Sequence, residues 1–539
     1  MSNELWSQSA SQLARLIKNK EVSSREVVES FLGRIEAVNS KVNAVTVVLA
    51  ESALQAADIA DKTEATGPLH GVPFSIKENI DCLGSATTQG VPSMAEAIPV
   101  VDAPVVARMK NAGAIPLART NLPEMGLRIS TDNPLRGRTL NPWNIDLCAG
   151  GSSGGEASAI ACGMSPLGLG NDIGGSLRNP AFCCGITSLK PSVGRIPAAG
   201  SIPPNDHGLA SQIMRVEGPM ARHVDDLKLA YPLLSGRDVR DPVSVDAPLY
   251  GPEPELKRAA VVTEIPGVTM PGEIVASVKR AADALAATGW QTEEVTPPEL
   301  ERVTEIWGHV LSAEFQPIID NFAMLMSDRP IAMLKELFKI FDPATMASPL
   351  LHGERWRLSC AWSLFFQEYP MVIGPTWTDF PFPHDADLDE GGTELTVNRL
   401  RFITPANLLG IPSVAVPTGS SGGLATGVQV YADKWREDLC LKGAGIIESK
   451  LGRITPIDAA FWFLCVSLFI AWRPVTGSGQ SNRRLDRQYI RRLLSSPRHS
   501  TSECCRLPKI QLPLQYRQDC PHGQFAQLPS RTILHPPTA

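Results

Sequence analysis

The stretch GGSSGGE at residues 150–156, followed by DIGGSLR at residues 172–178, places two serines in glycine-rich sequence. Ser152 and Ser176 lie 24 positions apart, and each follows two consecutive glycines. Glycine has no side chain, so the backbone before each serine can approach another segment or a ligand closely. These positions therefore suit catalytic hydroxyl groups better than core residues.

A lysine in a third segment can act as the base. The sequence GVPFSIKEN at residues 71–79 ends an apolar run at Lys77. A serine hydroxyl becomes a good nucleophile only when a neighbouring group accepts its proton. Lysine can accept that proton only where its surroundings, above all burial, keep it neutral. Lys77, Ser152 and Ser176 thus offer a base, a bridging hydroxyl and a nucleophile.

The turn that carries the second serine can also stabilise negative charge. The backbone N–H groups of Ile173, Gly174, Gly175 and Ser176 can converge on the oxyanion that forms when a carbonyl group is attacked. Removing one donor of this kind typically lowers the rate roughly 10²–10³-fold. The two glycines before Ser176 therefore suit a close approach of the backbone to a reacting group.

These segments resemble the amidase signature family, serine hydrolases that cleave carboxylic amides with a Ser-cisSer-Lys triad. The resemblance extends over residues 5 to 458, and further segments that carry it are ARTN at 118–121, NPW at 141–143, LKP at 189–191, GPMAR at 218–222 and GIPSVAVP at 410–417. It implies an amidase that releases an acid and ammonia or an amine through an acyl-serine, and most closely a general amidase acting on linear amides.

The resemblance also implies a role for each residue of the motifs. Ser176 is expected to be the acylated nucleophile, Ser152 the proton shuttle and Lys77 the final base. The peptide bond between Gly151 and Ser152 is expected to be cis. The resemblance implies no cofactor and no metal.

Three further residues of the motifs are expected to support the nucleophile. Asp172 and Arg178 flank Ser176 and would hold its turn through hydrogen bonds and charge, while Ser153 lies directly after the shuttle. None of the three is expected to react with the substrate.

Alternating helical and strand patterns predict an α/β fold with a mixed, twisted β-sheet covered by helices on both faces. The resemblance implies the same amidase-signature fold. Helices are predicted at residues 8–37, with a break at 21–23, and at 45–60 and 103–112. Strands are predicted at 71–76, 114–118, 371–376 and 413–416.

The composition favours a cytoplasmic protein, and the resemblance implies a small-molecule amide as its substrate. The 539 residues carry a net charge of −6, which excludes the basic surface typical of nucleic-acid binding. The N-terminus lacks the basic and apolar regions of a secretory signal. Eleven cysteines without a small-protein spacing fit reduced thiols. A homodimer is compatible with these features.

Two other site types fit the glycine motif less well. Residues 150–154 match the G-x-S-x-G pattern of an α/β-hydrolase esterase, whose serine should follow a buried strand. Residues 141–149 contain a proline, two asparagines and an aspartate, which disfavour such a strand. A nucleotide-binding loop would need a Lys followed by Ser or Thr, which residues 150–156 lack.

The substrate is left open between several amides. Short aliphatic, aryl or indole acetamides and fatty acyl amides are all candidates, as is glutamine in a chain resembling the glutamine-hydrolysing subunit of a tRNA amidotransferase. Those subunits usually carry a small residue where this chain has Glu156. We expect the variable region at about residues 230–400 to shape the acyl pocket. Its aromatic residues are Trp307, Phe315, Phe322, Phe338, Phe341, Trp356, Trp362, Phe365, Phe366 and Tyr369.

The domain is expected to end at residue 458, after which the composition changes. Residues 459–472 are uncharged and apolar but shorter than the ~20 residues that span a membrane. Residues 473–539 carry eleven Lys or Arg against three Asp or Glu and are expected to be disordered. A membrane-surface anchor, a partner-binding tail and an extension from an altered reading frame all fit, and we favour the last.

Overall fold

An eleven-stranded mixed sheet forms the centre of the protein. The computed structural model describes residues 4–203 and 208–458. In chain order, the strands are β1 Val45–Val48, β2 Pro73–Lys77, β3 Ile115–Thr120, β4 Leu167–Asp172, β5 Thr187–Lys190, β6 Val216–Ala221, β7 Arg258–Val261, β8 Gln291–Glu294, β9 Met371–Pro375, β10 Ser413–Ser421 and β11 Leu424–Tyr431. Their order in the sheet is β1-β3-β2-β4-β6-β5-β10-β11-β9-β7-β8. Strand β2 runs parallel to β3 and β4, whereas β6 is antiparallel to β4.

Helices connect and cover these strands. Those of the described residues are α1 Ala10–Lys18, α2 Ser24–Val42, α3 Ala50–Ala60, α4 Pro104–Asn111, α5 Gly154–Ala161, α6 Arg178–Cys184, α7 Leu209–Met214, α8 Val224–Leu234, α9 Gly272–Ala286, α10 Leu300–Phe315, α11 Ile319–Ala323, α12 Asp328–Ile340, α13 Ser348–Glu368, α14 Gly392–Arg399, α15 Thr404–Leu408 and α16 Glu437–Leu451.

Two hydrophobic cores lie on opposite faces of the sheet. Successive side chains of a strand point to opposite faces, and in β10 Val414 and Val416 join one core while Ala415 joins the other. Residues of α2, α8 and α16 fill the first core, and residues of α6, α10 and α13 fill the second. The predicted α/β class, with a mixed sheet between two helical layers, is confirmed.

Most predicted elements are present, with one correction. The break at residues 21–23 separates α1 from α2, and Ser23 with Glu26 forms a capping box at the start of α2. The prediction of a helix over all of residues 45–60 is wrong for Val45–Val48, which form β1 against β3. Pairing with β3 gives this segment hydrogen bonds that a local helical pattern does not reveal.

The described residues contain seven cysteines. All seven are free, and Cys183 and Cys184 are buried. No helix in residues 4–203 and 208–458 is long and apolar enough to cross a membrane. The predictions made for residues 459–539 lie outside the part that the structure describes.

Candidate active site

The site forms at one edge of the sheet, where the neighbouring parallel strands β2 and β4 end. Lys77 is the last residue of β2, and Asn171 is the penultimate residue of β4. The Nζ atom of Lys77 donates hydrogen bonds to Oγ of Ser152 and Oδ1 of Asn171, each over 2.7 Å. The structure therefore joins two of the three predicted catalytic residues directly.

Burial determines the protonation state of this lysine. Lys77 is completely buried, and loss of hydration is the largest effect that lowers its pKa, to about 7. The carboxylate of Glu217 opposes this shift and the guanidinium of Arg215 adds to it. A substantial share of Lys77 is therefore neutral at neutral pH and able to accept a proton.

The loop before Ser152 is held closely against its neighbours. The Gly151–Ser152 peptide bond is cis, as the resemblance implies. Thr131 Oγ1 donates to the Gly150 carbonyl oxygen over 2.9 Å and accepts from the Gly154 N–H over 3.1 Å. Gly150 has a φ of 78°, and a Cβ there would lie 2.6 Å from Cα of Pro180. Only glycine fits this position.

A buried ion pair shapes the turn that carries Ser176. Asp172 accepts hydrogen bonds from the N–H groups of Gly175 and Leu177 and pairs with Arg178 over 3.1 Å. Burial alone would raise the pKa of Asp172, but the Arg178 guanidinium and the hydrogen bonds hold it below its usual value. Asp172 thus stays ionised and, with Arg178, holds the turn together.

Two hydrogen bonds to backbone carbonyl groups also hold this turn. The Ser153 N–H donates to the carbonyl oxygen of Ser176 over 3.2 Å, which links the two serine loops. The indole N–H of Trp307 donates to the Ile173 carbonyl oxygen over 3.2 Å. A Cβ on Gly174 would lie 2.7 Å from the ring of Trp307. The turn is therefore packed from both sides.

One of the four predicted oxyanion donors is wrong. The Gly175 N–H already donates to Oδ1 of Asp172 over 2.7 Å, which commits it to holding the turn. The N–H groups of Ile173, Gly174 and Ser176 have no acceptor among the described residues. These three remain available for an oxyanion.

Ser176 lies where two cavities meet. One, of about 430 Å³, has mixed walls, and its polar residues include Ser152, Asn171 and Arg215. The other, of about 90 Å³, is mostly apolar, and its lining includes Leu127, Trp307, Leu311, Phe315, Leu334 and Leu337. A bound substrate therefore meets a mixed surface on one side of the serine and an apolar surface on the other.

The aromatic residues of the variable region divide between pocket and core. Trp307, Phe315 and Phe322 line the two cavities. Phe338, Phe341, Trp362, Phe366 and Tyr369 are buried in the hydrophobic cores, whereas Trp356 is exposed. Only a subset of these residues therefore contributes to the pocket.

Sequence reasoning missed two polar residues beside the lysine. Asn171 accepts from Lys77, and its own amide donates to Oδ1 of Asn79 over 3.0 Å. Glu156 is buried and accepts hydrogen bonds from Ser75 and, over 2.6 Å, from Thr120. The asparagine next to Asp172, at the end of strand β4, was the available signal for Asn171.

The fold and this site define an amide-cleaving enzyme of the α/β class. The profile of the Amidase family matches residues 26–441, and the chain belongs to that family. It is 40% identical to indoleacetamide hydrolase of Bradyrhizobium diazoefficiens over 83% of this chain and 87% of the relative. It is 31% identical to a glutamyl-tRNA(Gln) amidotransferase subunit of Moorella thermoacetica, over 83% and 97% of the two chains.

Solved structures agree with this assignment. The structure of 6-aminohexanoate cyclic dimer hydrolase with its substrate matches with a TM-score of 0.72 and 28% identity, over 83% of this chain and 98% of that one. A bacterial aryl acylamidase of the amidase signature family matches with a TM-score of 0.69 and 26% identity, over 87% and 99%. Amide hydrolysis, through the acyl-serine mechanism general to the family, is therefore the activity of this chain.

The esterase alternative finds no support in this geometry. Residues 141–149 form no strand beyond isolated bridges, so Ser152 does not follow the buried strand that a nucleophile elbow requires. Of the described residues that line the two cavities, none is a histidine. Lysine is the base that lies within reach of Ser152.

Proposed function

We propose that this amidase forms its acyl-enzyme on Ser176, with Ser152 passing protons to and from Lys77. The observation that carries the proposal is the 2.7 Å hydrogen bond between Ser152 and a fully buried Lys77 amine. A neutral amine in this position can accept the proton that a serine must lose to become a nucleophile.

In the first half of the reaction, the Ser176 oxygen attacks the amide carbonyl carbon. Its proton moves to Ser152, and the Ser152 proton moves to Lys77. The N–H groups of Ile173, Gly174 and Ser176 would stabilise the resulting oxyanion. Collapse of the intermediate breaks the C–N bond, and the proton returns through Ser152 to the leaving amine.

The second half releases the acid. Water attacks the acyl carbon of the ester on Ser176 and gives its proton to the same relay. The C–O bond to Ser176 then breaks, and the serine regains its proton from Ser152. Every proton taken up by Lys77 is thus returned within one turnover, and no cofactor is needed in this sequence of steps.

We propose a primary amide of an apolar, aromatic acyl group, such as an aryl or indole acetamide, as the substrate. The apolar cavity beside Ser176, with Trp307 and Phe315 in its wall, supports this choice because it would shield an uncharged ring from water. The 40% identity to a relative named indoleacetamide hydrolase supports it independently.

Glutamine is the second candidate, because relatives named as glutamyl-tRNA(Gln) amidotransferase subunits reach 31% identity. Its side-chain amide could reach Ser176 only if the α-ammonium and α-carboxylate groups were accommodated in the pocket or at its polar neighbour. Placing either charge against Trp307, Leu311 and Leu334 without a partner would be costly. The apolar lining therefore favours the aromatic amide.

Ammonia release from a panel of amides tests this proposal. We expect kcat/KM for indole-3-acetamide and phenylacetamide to exceed that for acetamide and for glutamine by at least roughly 10-fold. Burying one or two additional methylene-sized groups in an apolar pocket is enough to give a ratio of this size. The Ser176→Ala variant, purified in parallel, is the control for contaminating amidases. Glutamine as the best substrate would contradict the proposal.

A further inference from the structure

A row of polar side chains crosses three neighbouring strands at the site. Lys77 ends β2, Asn171 lies in β4 and Glu217 lies in β6. Asn171 and Glu217 are direct partners in the antiparallel β4–β6 pair, so their side chains lie on the same face of the sheet. Since Lys77 donates to Asn171, Glu217 lies directly beyond the residue that holds the base.

Glu217 is an unusual residue for its position. Its side chain is about 5% exposed, and Oε1 accepts a hydrogen bond from Nη2 of Arg215 over 2.8 Å. The other oxygen, Oε2, has no hydrogen-bond partner among the described residues. A buried carboxylate that is only partly paired is costly for folding. An electrostatic effect on Lys77 would give Glu217 a function at this position.

The two charges of this pair act on Lys77 in opposite directions. Burial lowers the pKa of Lys77 most, then Glu217 raises it and Arg215 lowers it. Glu217 therefore favours the ammonium form, and Arg215 favours the neutral form. Arg215 also lines the cavity that contains Ser152 and Ser176, so the pair lies at the edge of the substrate space.

Two other charged residues face the lysine, and both have close partners of their own. Asp172 is paired with Arg178, and Glu156 accepts from Ser75 and Thr120. Burial raises the pKa of Glu156 to about 7, so it titrates in the same range as Lys77, and the charge of each group acts on the other. Any test must therefore separate Glu156 from the β6 pair.

We propose that the Arg215–Glu217 ion pair adjusts the charge balance around Lys77 and so sets the pH at which the base becomes active. The inference rests on the proposed role of Lys77. Neither residue of the pair takes part in bond making, and each acts through the electrostatic field at the lysine.

The test is the rate at which Ser176 is labelled by a small fluorophosphonate, measured against pH. This reagent reports activation of the nucleophile without requiring the amide pocket. Arg215→Gln removes a positive charge and should move the acidic limb of the profile to higher pH. Glu217→Gln removes a negative charge and should move it to lower pH, each by about one pH unit. The double variant should return close to the wild-type profile.

Matched variants distinguish an electrostatic effect from a structural one. Arg215→Lys keeps the positive charge, so the acidic limb of its labelling profile should lie at the wild-type pH even if this variant is less stable. The same series in a Glu156→Gln background removes the second titrating group and should give the same opposed shifts. If Arg215→Gln fails to fold, Glu217→Gln alone still tests the sign.

The inference would be overturned if the acidic limb of the labelling profile did not shift in either single variant, or if it shifted in the same direction in both. That result would leave the proposed function intact, provided that Lys77→Ala still slows labelling strongly. Labelling of Lys77→Ala at the wild-type rate would instead contradict the proposed function itself. The two failures are therefore distinguishable in one series of measurements.

Discussion

At the residue scale, the chemistry of the site depends on the loss of hydration at Lys77. No neighbouring cation is needed to make this amine neutral, because burial alone is the largest cause of its lowered pKa. The strand end that buries Lys77 also places its Nζ within hydrogen-bonding distance of Ser152. A single feature of the fold thus provides both the position and the protonation state of the base.

The pH profile of kcat/KM follows from this state. The neutral amine is the active form, so activity should rise with pH through a limb near pH 7, the value to which burial lowers the pKa of Lys77. Steady-state rates from pH 5 to 9 with a neutral amide will measure it. A limb near 10, as for an exposed lysine, would contradict the account.

The arginine variant tests the need for a neutral base. Lys77→Arg keeps a long cationic side chain, but a guanidinium cannot lose its proton in a protein. We expect kcat to fall by roughly 10⁴-fold or more, as for other losses from a catalytic triad. Ser152→Ala should cost less, because water can replace a shuttling hydroxyl. Equal activity of Lys77→Arg and wild type would exclude lysine as the base.

The buried Glu156 should make stability depend on pH. Burial raises its pKa to about 7 in the folded protein, above the ordinary value of 4.5, so the folded state keeps a proton that the unfolded state releases. Its contribution to stability is present below pH 4.5 and is lost as pH rises through 7. Glu156→Gln cannot ionise. The Tm of this variant minus the Tm of the wild type should therefore be larger at pH 8 than at pH 5.

An exposed glutamate provides the opposite control. Hydrogen bonds with Ser23 lower the pKa of Glu26, so its contribution is present at neutral pH and is lost in acid. Glu26→Gln should lose a little Tm at pH 8 relative to wild type. The same Tm difference at both pH values for Glu156→Gln would show that Glu156 does not titrate in this range.

The sequence offers clearer signals for the proposed catalytic residues than for their surroundings. Lys77, Ser152 and Ser176 are predicted from their motifs because each motif is contiguous. Asn171 and Glu217 could not be identified, because their closeness to Lys77 depends on the pairing of β4 with its neighbours. Gly175 was assigned wrongly because the sequence does not show that Asp172 takes its N–H.

At the element scale, the start of α5 must approach β3 closely. A Cβ on Gly155 would lie 2.3 Å from the backbone nitrogen of Asn121, just after β3. The Gly155 N–H also donates to the Asn121 carbonyl oxygen over 3.2 Å. This helix carries the loop of Ser152 at its N-terminus, so its distance from β3 sets the position of the shuttle.

Adding one methyl group at this contact should disturb both stability and activity. We expect Gly155→Ala to lose about 1–3 kcal/mol of unfolding free energy or more, because the backbone of residue 121 cannot move aside easily. Gly33→Ala in the middle of α2 is the control, since a Cβ there meets nothing within 4 Å. It should stabilise the helix by up to about 1 kcal/mol. Chemical denaturation measures the unfolding free energy of both variants. Equal changes in Gly155→Ala and Gly33→Ala would show that the close contact between α5 and β3 does not limit the size of residue 155.

Elements with strong local signals were predicted correctly, whereas the strand at residues 45–48 was not. The α1–α2 boundary is encoded by Ser23 and Glu26 within four residues. Residues 45–48 form a strand only because β3 lies beside them, and β3 is about 70 residues away in the sequence. Local periodicity contains no information about such a partner.

At the scale of the whole molecule, the catalytic edge and the substrate pocket come from different parts of the chain. The proposed base, Lys77, ends β2 and the proposed nucleophile, Ser176, follows β4, whereas α10 and α12 supply much of the apolar lining. This division lets the pocket vary while the reacting groups stay fixed. The family fold was predictable from the motifs, but the pocket lining was not, since it depends on how α10 and α12 pack.

We propose residues 1–458 as the catalytic domain. The last described residues contact its body, since Ile457 N–H donates to Ala161 over 2.9 Å and Asp458 pairs with Arg34 over 2.8 Å. A chain ending at residue 458 should keep the wild-type kcat/KM. A chain ending at 451 loses both contacts and should show a lower Tm. Loss of activity on removing 459–539 alone would contradict this domain boundary.

The assignment of Ser176 as the nucleophile is tested most directly by mapping the phosphonyl adduct that a serine-reactive reagent forms. Wild-type protein inactivated with a fluorophosphonate is digested, and the modified peptide is sequenced by mass spectrometry. The account predicts a single adduct on Ser176, present in wild type, strongly reduced in Lys77→Ala and absent in Ser176→Ala. An adduct on Ser152 or on any other side chain in the wild-type protein would contradict it.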